Sequence, residues 1–582
     1  MNNHSIINML STYKKKPAIN LNGFAVEGWS AIISVLASHT RKNSTIVVDC
    51  YTGVNQEELE KWLIQLKPDV FIHTKDLFIP EEEVGALTAR FMTEDTLFGY
   101  NSNITLDEYF DQEKLNAARE AATMPGGRVL VLGPGAQLVA EADMLIYADM
   151  PRWEIQQRMR QGVARGLGID NSREPFSQQY KRGLFNDWRV LDKHKCLIFD
   201  KVDFWLDTVV HGAPKMIDRQ TFNAGMDKAA TSPFRVVPFF DPAPWGGQWM
   251  KEEFALDPSK VNYGWGFDCV PEENSLLLNV NNIVFEMPAV NLVYTKSSEV
   301  LGRPVEARFG KDFPIRFDFL DTIGGGNLSL QVHPTTQYAR DHFGLHYTQD
   351  ESYYIMAAKD DAHVYLGFKT GVDRDVVIDE LEKAEQGELV FDADKYVNKI
   401  PTKKHDHFLI PAGTIHCSGT NAVVLEISST PNLFTFKLWD WQRLGLDGKP
   451  RPINVKRGKH VLNWSCDTEY TYAQLVNHVE VINSGEGWVE ERTGLHKSEF
   501  IETRRHTFSV PVTHYTGDSV NVLNLVDGEE IIVESPTGAF EPMIIHYAET
   551  FIVPSAVGAY RIRPHGASAG KTCMTIKASV RV

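Results

Sequence analysis

The feature that most limits how this chain can fold is a change of texture near Ser232. Before it, short β-branched runs alternate with stretches that carry apolar residues at helical spacing, the pattern of a mainly parallel sheet covered by helices. After it, aromatic residues, prolines and glycine turns become frequent and short alternating runs replace helices, as in an all-β region. One core rarely organises 582 residues, so the expectation is a multidomain protein. It divides into an α/β part over 1–220, a β part over 232–460 and a second, smaller β part over 461–582.

In the first part the strands are Ala18 to Leu21, Thr45 to Asp49, Val70 to His73, Arg128 to Leu132 and Met144 to Asp149, separated by helical stretches such as Glu57 to Leu66. A basic amphipathic stretch with Arg152, Arg158, Arg160 and Arg165 follows Pro151. Beyond Ser232 only Asp375 to Glu385 reads as a substantial helix, and the last part holds strands over Val520 to Leu525, Glu530 to Glu534 and Ile544 to Val553.

Charge narrows the partners. Lys plus Arg number 59 against 76 Asp plus Glu, and a net charge of -17 repels phosphate backbones and anionic lipid, so neither nucleic acid nor membrane is expected. The six cysteines are scattered singly, which suits buried thiols in a reducing compartment. Met1 to Ser5 is polar and leads to Lys14-Lys15-Lys16 without an apolar leader, so a cytoplasmic protein is expected.

Three segments of the β part carry chemistry. Gln331 and His333 lie two apart on a strand and share a face. Glu351 opens a second strand, and Pro411 to His416 delivers a histidine after a Pro/Gly turn. Two imidazoles, a carboxylate and an amide oxygen suit zinc or another divalent first-row metal. Histidines satisfied inside a barrel without a metal are the other account of the same residues.

The run Leu328 to Pro334 resembles the L-S-x-Q-V-H-P signature of class I mannose-6-phosphate isomerases. Glu351 to Ile355 is similar to their E-x-W-Y-I strand, and Pro411 to His416 to their P-[AS]-G-T-x-H element. Trp245-Gly246-Gly247 upstream, and Asp440 to Arg443 with Asp447 to Arg451 downstream, keep the family's order. The resemblance covers roughly Phe234 to the C-terminus. It implies a double cupin of jelly-roll barrels, one zinc site on Gln331, His333, Glu351 and His416, and aldose–ketose interconversion of a hexose 6-phosphate.

Departures fall near the substrate. The family arginine of a T-Y-R strand falls on Lys437, which keeps charge but loses bidentate geometry. Family lysines fall on Gln349 and Asp318. Arg316, Lys437 and Arg443 remain to meet a phosphate, with a solvated charge or an ordinary ion pair as the other account of each, above all of Arg316, and Lys437 can serve as the base if burial lowers its pKa.

In the first part, Gly23 to Gly28 before Ser30 has the G-x-x-x-x-G spacing of a phosphate-binding loop, but Trp29 stands where its lysine belongs and Glu27 adds a negative charge. With Val47-Val48-Asp49 and Arg128 to Gly135, the order resembles P-loop kinases of the uridine kinase type, with the basic stretch after Pro151 as a lid. The resemblance implies a degenerate P-loop-like domain without kinase activity. Two functions follow: a zinc-dependent isomerase of a small-molecule sugar phosphate with Lys437 and Arg443 in the chemistry, or a non-catalytic sugar- or nucleotide-responsive metal-binding cupin fused to a pseudokinase.

Overall fold

The computed structural model describes residues 11–123, 126–429, 434–449, 451–494 and 496–582; the polar N-terminal residues read for a leader, and Pro450, lie outside these. The α/β part is built on a seven-stranded sheet. Five strands run parallel, in spatial order Phe204–Asp207, Met144–Asp149, Thr45–Cys50, Val129–Gly133 and Val70–His73. Runs such as Ile46-Val47-Val48 are buried without alternation, as a sheet covered on both faces requires.

Two features depart from expectation. The Ile19–Leu21 strand lies outside this sheet and pairs in parallel with Ser275–Val280, beside Ile283–Pro288. Its part-exposed side chains suit a rim, not a doubly covered centre. Within the glycine segment itself, Ala25–Glu27 is an antiparallel edge strand paired with Lys215–Asp218. The second departure is helical: besides Arg374–Glu385, helices occur at Val290–Thr295, Ser297–Leu301, Arg303–Phe309 and Thr336–Phe343. Val290 to Val293 are buried consecutively, which erases the 3.6-residue stripe that marks a surface helix.

The central β part is an antiparallel sandwich. One sheet orders His407–Ile410, Glu351–Ala358, Ala422–Ser429, Ile315–Asp321, Trp265–Cys269 and Phe239–Asp241. The other orders Val397–Pro401, His363–Phe368, His416–Ser418, Leu330–Val332 and Phe436–Trp439. In the first sheet Leu320, Tyr353, Ile355 and Val424 point into the sandwich, while Phe317, Phe319, Tyr354 and Leu425 point outward into a second core shared with Trp205, Val522 and Ile576. Each such side chain contributes about 1.5–3 kcal/mol of burial, so this sheet is held from both faces.

A second sandwich follows, with sheets of six and four strands. The run expected as one strand from Ile544 to Val553 is two, Met543–His546 and Thr550–Val553, in different sheets. Ala548 between them is left-handed at φ 64, which turns the chain.

Candidate metal centre

Gln331 and His416 are direct cross-strand partners, and His333 follows one residue beyond the Leu330–Val332 strand. Glu351 reaches across from the facing sheet. Its Oε2 lies 3.0 Å from His333 Nε2 and its Oε1 lies 2.8 Å from His416 Nε2, while the Gln331 amide is 3.3 Å from the same His416 nitrogen. All four side chains are buried. His416 is placed by the turn before it, where Gly413 has φ +91 and an added Cβ would lie 2.9 Å from the Val461 carbonyl oxygen.

The polarity of the group is set one step further out. His416 Nδ1 donates to the Thr414 carbonyl at 2.8 Å, and His333 Nδ1 donates to the Phe434 carbonyl at 3.1 Å. A carbonyl only accepts, so both Nδ1 atoms carry protons and both Nε2 lone pairs turn toward a carboxylate that also only accepts. His333 Nε2 and Glu351 Oε1 are buried without a hydrogen-bond partner. Such a set of acceptors repels itself unless a cation or extra protons lie among them. Donors about 2.0–2.2 Å from one zinc ion sit about 3.2–3.6 Å apart, close to the spacing here, so these residues fit a divalent metal.

Beneath Glu351 lies a buried polar row. Arg316 pairs with Asp318 at 3.0 Å and with Glu426 at 2.5 Å, and Gln349 donates to Glu351 Oε2 at 3.0 Å. Burial raises Asp318 to about 6 despite Arg316, with the charge of Glu351 adding to the rise. Burial and the carboxylates of Asp318 and Glu351 push Glu426 well up. Arg316 is thus held in ion pairs, through Nε to Asp318 and Nη2 to Glu426, which is the ion-pair account of this residue and not the phosphate contact.

Lys437 is the cross-strand partner of Gln331. Burial lowers its pKa to about 8, and Arg451 and Arg443 nearby push the same way against Asp440. Arg443 and Arg451 each bind Asp440 at 2.7 Å, and Arg443 also donates to the Asn327 carbonyl. Among the described residues Lys437 makes no salt bridge, while Arg443 and Arg451 share the one Asp440 carboxylate. Of the members of the site, Gln349 was singled out only as a departure from a lysine and Arg451 only within the D-G-K-P-R motif, while the Phe434 carbonyl has no signal in the sequence.

At the glycine segment of the degenerate phosphate loop, backbone donors are taken up within the fold. Gly28 N–H is spent on the Pro214 carbonyl, Phe24 N–H on Thr221, and Trp29 is buried with its Nε1 donating to Glu58. At the carboxyl ends of the parallel strands, where doubly wound sheets bind ligands, His194 meets Asp49 at 2.8 Å, and Lys195 and Asn291 fill the space at Asp149. The basic lid is likewise paired off: Arg152 with Asp192, Arg158 with Glu154, Arg160 with Asp241 and Arg165 with Asp170.

Residues 28–231 match a family model described as a domain of unknown function, DUF8485. Over part of its length the chain is similar to mannose-6-phosphate isomerases. It is 28% identical over 236 residues to the probable mannose-6-phosphate isomerase GmuF of Bacillus subtilis, spanning 40% of this chain and 69% of the relative. With the mannose-6-phosphate isomerase of Streptococcus mutans it shares 27% identity over 233 residues, 40% of this chain and 68% of the relative. The crystal structure of a mannose 6-phosphate isomerase from Bacillus subtilis superposes with a TM-score of 0.49 at 17% identity, covering 60% of this chain and 99% of that one. No helix among the described residues is long and apolar enough to cross a membrane.

Proposed function

We propose that the chain is a metal-dependent aldose–ketose isomerase of a hexose 6-phosphate, with mannose 6-phosphate as substrate and zinc held by Gln331, His333, Glu351 and His416. The observation that carries it is the convergence of two imidazole Nε2 atoms on one buried carboxylate, each imidazole oriented by a backbone carbonyl. Similarity to mannose-6-phosphate isomerases over 40% of the chain supports the substrate class. When bound, the metal would supply a positive charge to orient and polarise the sugar oxygens. Lys437, with a pKa of about 8, is neutral often enough near neutral pH to take the C2 proton at Nζ and return it at C1. Arg443 and Arg451, sharing Asp440, leave net positive charge for the phosphate. The second sandwich is the second cupin of the pair, and the α/β region serves as a scaffold without nucleotide.

The occupied state of Arg316, with Asp318 and Gln349 at family lysine positions, favours a second account: a metal-bearing sugar-binding protein without turnover. A coupled assay with mannose 6-phosphate separates the two. Turnover by the zinc-loaded protein, lost in Glu351→Ala and Lys437→Ala, establishes the isomerase. Metal uptake and sugar-phosphate binding without turnover would leave only the binding protein.

A further inference from the structure

The core of the metal-bearing sandwich contains two side chains that come from far upstream, Phe98 and Phe185 of the α/β region. Phe98 lies with ring centroids 5.9 Å from Phe434, 5.4 Å from Phe436 and 5.4 Å from Phe343, and Phe185 meets Phe434 edge-on at 5.9 Å. Phe434 is the residue whose carbonyl accepts the Nδ1 proton of His333.

The loop that presents Phe98 is built to hold it there. Asp95 accepts from the N–H groups of Leu97 and Phe98, and Thr93 donates to the Phe98 carbonyl at 2.6 Å. Arg457 of the sandwich binds the same Asp95 carboxylate at 2.7 Å, and burial-limited Asp95 is held below its usual pKa by those N–H groups and by Arg457. Beyond Phe98, Tyr100 N–H binds the Phe91 carbonyl, Asn101 N–H the Phe343 carbonyl and Ser102 N–H the Phe185 carbonyl. A Cβ on Gly99 would lie 2.6 Å from the Phe91 oxygen, so the chain has little freedom to shift.

We infer that Phe98 and Phe185 are positioning residues for the metal centre: the α/β region fixes Phe434, and through its carbonyl the orientation of the His333 imidazole. This gives the otherwise unassigned N-terminal region a role in metal affinity and not merely in folding. It rests on His333 being a ligand, as proposed above. Partners that orient a ligating histidine commonly change metal affinity by about 10–100-fold when lost.

The test measures zinc affinity of the full chain by chelator competition, and the visible spectrum of the cobalt(II)-loaded protein. Phe98→Ala and Phe185→Ala are compared with Phe222→Ala, a cavity of equal size in the α/β region against Trp205. Phe98→Leu, which keeps apolar volume, serves should Phe98→Ala not fold. Expected are a weakening of zinc binding by about tenfold or more and an altered cobalt spectrum in the Phe98 and Phe185 variants, with Phe222→Ala like the wild type. Wild-type affinity and spectrum in folded Phe98 and Phe185 variants would overturn the inference, as would equal weakening in Phe222→Ala. Failure of the wild type to bind zinc would instead overturn the metal assignment itself.

Discussion

His416 binds the backbone of its own turn: its Nδ1 donates to the carbonyl of Thr414, two residues back, at 2.8 Å. Its outward nitrogen is thus aimed before any ligand arrives, whereas His333 depends on the carbonyl of Phe434, a hundred residues downstream. One histidine is oriented locally and the other by tertiary structure.

Zinc binding is therefore expected to stabilise the folded chain. A ligand at 100 times its Kd adds about 2.7 kcal/mol, so zinc should raise Tm and a chelator should reverse the rise. Glu351→Ala should abolish the shift; an undiminished shift in that variant would place the zinc elsewhere.

Lys437 should write itself into the pH–rate profile. With a pKa of about 8, lowered by burial and by Arg451, it acts as a base only when neutral, so kcat/KM should rise as pH climbs through about 8. Lys437→Ala should lose that limb and about 10²–10⁴-fold in rate. A profile unchanged by the substitution removes Lys437 from the proton transfer.

Removing the cation between Asp318 and Glu426 should be costly. Arg316→Met leaves two buried acids side by side, and breaking a buried pair in this way costs about 3–5 kcal/mol. Urea unfolding of the variant at neutral pH measures the loss, which should shrink if Asp318→Asn is added.

Acid should loosen the seam between the two sandwiches. Burial lowers His407 to about 3, and burial lowers His405 and His506 to about 4. Unfolded histidines take protons near pH 6.5, so the unfolded chain binds more protons between about 6.5 and 4, and stability falls as pH drops through that window. His407 Nδ1 meets the Thr493 carbonyl, where the two sandwiches touch. Replacing His407 with Phe should flatten the pH dependence of urea unfolding between pH 7 and 5.

How much of this was legible in the sequence depended on distance along the chain. Gln331 and His333 were legible because a strand puts alternate residues on one face, and His416 because Pro411 and Gly413 mark the turn that aims it. The parallel sheet was legible from unbroken runs such as Ile46 to Val48. Arg316 and Asp318, two apart on one strand, could be read onto one face, but nothing near them in sequence shows that Glu426, 110 residues on, flanks Arg316 as well. Ile19–Leu21 looked like a strand of the local sheet, yet its partner lies at Leu278, and nothing near it in sequence carries that information. Phe98 and Phe185 were not singled out, because nothing near them in sequence points to the sandwich core they enter.

The pairing of Ile19–Leu21 with Ser275–Val280 also orders events during synthesis. Tyr13 waits for Asp268, and Asp149 for Asn291, so the α/β region cannot be finished when its last residue leaves the ribosome. Those contacts can form only once a further stretch of about sixty residues has emerged, by which point the first strands of the sandwich are also available.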